Sequence, residues 1–109
     1  MNNYINKSRI NFVNLIVHYI IENYANKINK IIVYGESVDC SVKNPKSLDI
    51  ALSFIKDSDS KDYEMLGDIL SYMGEIVTEG DCTLTPINTI PITRKYLCAI
   101  RDGVVVYEK

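Results

Sequence analysis

Hydrophobic positions change their period along the chain, and each change marks an element. After Ser8, residues Phe12, Leu15, Ile16, Tyr19, Ile20 and Tyr24 recur at helical spacing, which predicts a helix capped by Ser8 and ending near Ala25 or Ile28. Its apolar face is broad, so burial on more than one side is expected. The run KIIVYG, residues 30–35, is short, apolar and closed by glycine, as a strand would be. After the polar loop VKNPKS, Leu48, Ile50, Leu52 and Phe54 alternate with Asp49, Ala51 and Ser53, the pattern of a second strand over 47–54 with one apolar face. The segment DSDSKDYEMLGDILSYMGEI predicts a helix carried by Tyr63, Leu66, Ile69, Leu70 and Met73, with Ser58 or Asp59 near its cap. DCTLTPI then reads as a third strand and PITRKYLCAIRDG as a short helix, with Pro91 at its start and Gly103 after its end. VVVYEK closes the chain as a strand or tail.

This is an α+β order in which strands 30–35 and 47–54 are neighbours, because a short loop between two apolar runs favours adjacent strands. The expected architecture is a small mixed sheet with helices packed mainly on one face. A chain of 109 residues holds one compact core, so residues 1–109 are read as a single domain. The formal net charge of -2, with lysines and arginines scattered singly, implies no general nucleic-acid binding. Cys40, Cys82 and Cys98 show no Cys-x-x-Cys spacing, which argues against a disulfide framework or a zinc site and for reduced thiols in a cytoplasmic protein. FVNLIVHYII is interrupted by Asn14 and His18, too short and too polar for a membrane span or a signal peptide.

The strand order, IIVYGES followed by SLDIALS, and the ending RKYLCAIRDGVVVYEK together make a more specific pattern. Over nearly the whole chain it resembles the minimal nucleotidyltransferase domain of the DNA polymerase beta-like superfamily. In that family one strand ends in Gly-Ser, the next carries Asp-x-Asp, a later strand supplies a third Asp, and a final helix leads to Gly-x-x-x-Tyr-Glu, matched here by Gly103, Tyr107 and Glu108. The chemistry accounts for the pattern. Carboxylates two residues apart on a strand share one face, where they can hold divalent cations that activate a hydroxyl and stabilise leaving pyrophosphate. The glycine lets backbone amides approach phosphates, and the serine supplies a hydroxyl.

What the resemblance implies for this chain is a nucleotide site at Gly35, Glu36, Ser37 and Ser47, with Asp49 and Asp81 as catalytic and Mg2+-binding carboxylates. The parts depart from the family pattern. Aligned without gaps from Gly35, Glu36 replaces the serine, Ser47 takes the first Asp position and Asp49 the second. A two-residue shift makes Asp49 the first, Ala51 the second, and gives Ser37 the serine role. Either register leaves one carboxylate of the pair. The third position falls on Asp81 or on Thr83. Glu36 and Asp39 also place negative charge where a triphosphate would lie, with Lys43 and Lys46 the nearby cations.

The resemblance therefore implies a degenerate member acting as a binding or regulatory module. Such domains are commonly paired with a helical protein partner in toxin–antitoxin-like systems. The alternative is an active Mg2+-dependent transferase moving a nucleotidyl group to a protein or small-molecule hydroxyl. The broad apolar face of the first helix points to homo- or hetero-oligomers.

Other candidates have plainer readings. His18 on the first helix has no nameable Ser or Cys partner and is read as packed or half-exposed. Asp57, Asp59 and Asp62 lack the glycine and terminal glutamate of a calcium loop and are read as a solvated helix start. Among the eight tyrosines, Tyr19, Tyr24, Tyr63 and Tyr72 sit at helical core spacing, which suggests packing with the hydroxyl outward and not base stacking. Acidic neighbours argue against a reactive thiolate at Cys40.

Overall fold

Two strands that each carry one apolar face can bury it only against another layer, and a pair of helices supplies that layer. The computed structural model describes residues 5–38, 43, 45–55, 60–78, 80–86 and 103–109. Its helices are α1 (Ile10–Tyr24) and α2 (Ser60–Ile76), and its strands are β1 (Ile28–Tyr34), β2 (Ser47–Phe54), β3 (Asp81–Pro86) and β4 (Val104–Glu108). The strands form one mixed sheet in the order β3-β2-β1-β4. β1 runs antiparallel to both β2 and β4, whereas β2 and β3 are parallel. A parallel pair needs a crossover, and α2 lies between these two strands in sequence.

The fold is the expected α+β arrangement, with strands 30–35 and 47–54 paired and both helices on one side of the sheet. Val13, Ile16 and Ile20 of α1 and Met65, Ile69 and Met73 of α2 join Ile31, Val33, Leu48, Ile50, Leu52 and Phe54 in the main core. Period-two alternation sends Ile32, Tyr34 and Ala51 to the second face, where they form a smaller buried cluster with Val105 against it. The Tyr34 hydroxyl reaches Thr85 Oγ1 of β3 at 3.2 Å across that face.

The helix starts and faces differ in detail from the sequence expectation. Arg9, not Ser8, holds the cap position of α1, and no side chain caps it. Asn6 organises the approach instead: its carboxamide oxygen accepts from the Ser8 amide at 3.1 Å and the Ser8 hydroxyl at 2.8 Å. That leaves Ser8 engaged backwards, away from the helix amides. Leu15 (48% exposed), Leu70 (42%) and Tyr63 (67%) point outward, because one sheet face accepts only a narrow stripe from each helix. Tyr19 and Tyr72 stack between the helices with ring centroids 4.0 Å apart, and the Tyr19 and Tyr24 hydroxyls both donate to Asp68. His18 sits in solvent beside Glu22, 3.0 Å away. Among the described residues no helix is long and apolar enough to cross a membrane. The expected helix over 91–102, Cys40, Cys98, Asp39, Asp57 and Asp59 lie outside the described residues.

Candidate functional site

β1 ends at Tyr34, which pairs with Asp49, and Gly35 then turns the chain directly over the Asp49 side chain. Gly35 has φ +74°, and a Cβ placed there would collide with Asp49 Oδ2. The left-handed backbone favours glycine at this point, and any side chain there would have to displace the Asp49 carboxylate. A short 3-10 turn, Gly35–Val38, follows.

The residues of that turn face different ways. Ser37 is completely buried: its hydroxyl donates to the Ser47 carbonyl at 2.9 Å, and its own carbonyl accepts the Asn6 amide at 2.7 Å. It ties the turn to β2 and faces no solvent. Glu36 is exposed, and its carboxylate accepts the Lys46 amide at 2.7 Å. The Lys46 carbonyl in turn accepts the Asp81 amide at 2.7 Å, while Gly80, at φ +98°, lets the chain pass close to that same carbonyl. Lys46 thus locks the β1 turn and the start of β3 to the start of β2.

At the centre of this end of the sheet is Asp49. Its Oδ2 accepts the Ser47 hydroxyl at 3.0 Å, and its Oδ1 accepts the Thr83 hydroxyl. Ser47 lies two residues away on the same strand face, and Thr83 is the direct register partner of Asp49 on β3. Asp81 pairs with Ser47, one step further toward the sheet end. Strand alternation puts Asp81 on the same face, where it is exposed. The structure thus gathers Gly35, Ser47, Asp49, Thr83 and Asp81 at one end of one face. Ser37 is turned into the interior beneath them, and Glu36 is held at the rim.

Ala51, the other residue two positions from Asp49, is fully buried among Ile32 and Tyr34. An aspartate there would be a desolvated charge. Of the two registers, Ser47-x-Asp49 is the one that keeps both positions in reach of the turn. Cys82, on the helix side of β3, is half-buried. Burial pushes its thiol pKa up, Arg9 opposes the rise, and Asp49 and Asp81 add to it.

The donor set can be set against Mg2+. That ion asks for near-octahedral oxygen coordination with carboxylates and phosphates taking the place of some waters. Here one carboxylate already takes two hydroxyl hydrogens and the second, Asp81, stands one register step away. Among the described residues no group of three metal-ligating side chains forms. The arrangement does not fit a two-metal centre.

Sequence reading weighed Thr83 only as an alternative to Asp81; the β2–β3 register, invisible without the sheet, is what sets it beside Asp49. It passed over Arg9 altogether. The signal available was a lone arginine at a predicted helix start with no acidic residue in the following turn. The chain matches no protein-family model and no curated protein.

Proposed function

We propose that this chain is a nucleotidyltransferase-fold module whose metal site has degenerated, and that it acts by binding, in the manner of an antitoxin-like or regulatory partner, and not by turnover. One observation carries the reading: Asp49 is flanked by Ser47, at the first carboxylate position in the gap-free alignment, and by Thr83, one of the two candidates for the third, and both hydroxyls donate into it. A hydroxyl that donates to a carboxylate occupies lone pairs a cation would use and brings no charge of its own. The glycine turn over Asp49, the α+β order and the β1–β2 antiparallel pair support the same kinship. Glu36 supports loss of triphosphate binding, since its carboxylate is committed to the Lys46 amide at the point where phosphates would approach the turn.

The test is nucleotidyl transfer from labelled ATP with Mg2+, and equilibrium binding of the same nucleotide, for the wild-type chain and Asp49→Asn. The proposal predicts no transfer and equally feeble binding by both proteins. Tight Mg-ATP binding by wild type, with binding and transfer both lost in Asp49→Asn, would replace it with the active-transferase reading. Association with itself or a helical partner belongs to the same proposal. Light scattering on the isolated chain and on the native complex checks it, and a strict monomer with no partner in the native host contradicts it.

A further inference from the structure

On the helix side of the same sheet end lies a cleft of about 420 Å³, lined by Ser8, Arg9, Phe12, Pro45, Lys46, Val77 and Thr78. Its size is that of a small-molecule site. None of its lining residues is acidic, two are basic and two carry hydroxyls.

Arg9 is the unusual member. It is 95% buried, yet among the described residues no carboxylate pairs with it: the ion pairs are His18–Glu22 and Lys30–Glu108. One guanidinium nitrogen donates to the Pro45 carbonyl, the Nε has no acceptor, and the group lies 5.7 Å from the centre of the Phe12 ring. A buried charge is normally paired, because the desolvation cost is otherwise uncompensated. The surroundings increase the positive potential. α1 begins at this point with no side-chain cap and no acidic residue in its first turn, so neither offsets the positive end of the helix. Lys46 also lines the cleft and is exposed, its backbone fixed by bonds to the Glu36 carboxylate and the Asp81 amide.

We infer that this cleft binds a phosphomonoester, with Arg9, Lys46 and the α1 amino end holding the phosphate and Phe12, Pro45 and Val77 packing against the ester group. Phosphate fits better than carboxylate because the lining offers donors of different kinds, the Arg9 guanidinium, the Lys46 ammonium and the Thr78 hydroxyl, more than the two oxygens of a carboxylate would use. The site is separate from Asp49, which lies on the other face of the sheet, and stands whether or not that site handles nucleotides.

The probes are phenyl phosphate, inorganic phosphate and benzoate, each titrated against the full chain while the thermal unfolding midpoint is followed. Phenyl phosphate is expected to raise the midpoint saturably, inorganic phosphate to do so more weakly, and benzoate least. Lys46→Ala leaves the backbone bonds in place and should weaken phenyl phosphate binding about tenfold, the effect of one lost charge-assisted contact. Arg9→Lys should weaken it at least as much. Asp49→Asn should leave it unchanged, which separates this site from the one on the opposite face. If phenyl phosphate gives no saturable shift, or gives one that Lys46→Ala and Arg9→Lys leave intact, the inference is overturned and Arg9 serves only to pin Pro45 to α1. Should Arg9→Lys not fold, the Lys46→Ala comparison decides by itself.

Discussion

Replacing Gly35 with alanine tests how tightly the turn is fitted to Asp49. At φ +74° an L-residue costs about 1–2 kcal/mol relative to glycine. The new Cβ would also overlap Asp49 Oδ2, the oxygen that accepts the Ser47 hydroxyl. A carboxylate end can swing away, so the added cost is the hydrogen bond it abandons, about 1 kcal/mol. The sum is roughly 2–3 kcal/mol, or a fall of about 10–15 °C in the unfolding midpoint of a domain this size. Chemical denaturation of wild type, Gly35→Ala, Asp49→Ala and the double variant closes the cycle. In the Asp49→Ala background only the backbone cost should remain, so the two substitutions should couple by about 1 kcal/mol. Strictly additive effects, or a Gly35→Ala protein as stable as wild type, would refute the packing of the turn on the carboxylate.

Glu36→Ala should cost about 1 kcal/mol in denaturant midpoint analysis, because the Lys46 amide loses its acceptor at an exposed site; no loss would mean the rim bond does not hold the turn. Asp68 holds the Tyr24 phenol up to about 12 by accepting its hydrogen bond, with burial and charge repulsion adding to it. A raised folded-state value favours the folded chain at every pH below the unfolded tyrosine value of 10.0, and that advantage disappears as pH climbs from there toward about 12. Asp68→Asn should bring the tyrosinate absorbance transition down toward the ordinary value and flatten the alkaline fall in stability; an unmoved transition would contradict the Asp68 contact.

Alternation made the sheet legible. Leu48, Ile50, Leu52 and Phe54 declared their face, and the short loop before them declared their neighbour, since period two leaves one solution once an apolar face must be buried. The helix faces were read too broadly. Leu15 and Leu70 satisfy helical spacing but lie beyond the stripe that one sheet face can cover, and nothing in local spacing says how wide that stripe is. Asp49 and the glycine turn were visible as a motif. The neighbour of Asp49 was not, because Asp81 and Thr83 share a face and only the parallel β2–β3 register separates them. Ser37 looked like a free hydroxyl in sequence, but the 3-10 turn rotates it inward to the Ser47 carbonyl. Arg9 escaped notice because its burial and missing partner arise from the packing of three distant segments, around residues 9, 45 and 77.

The central proposal is that Ser47 and Thr83 stand where a nucleotidyltransferase of the resembled kind would carry metal-binding carboxylates. Its most direct measurement is calorimetric titration of Mg2+, in the presence of ATP, into wild type and into Ser47→Asp/Thr83→Asp, with both proteins first checked for a cooperative unfolding transition. The account predicts no saturable binding by wild type and a gain in affinity of at least about tenfold in the double variant, as two charged ligands join Asp49 on one face. Tight binding by wild type, or no gain in a folded double variant, would contradict it.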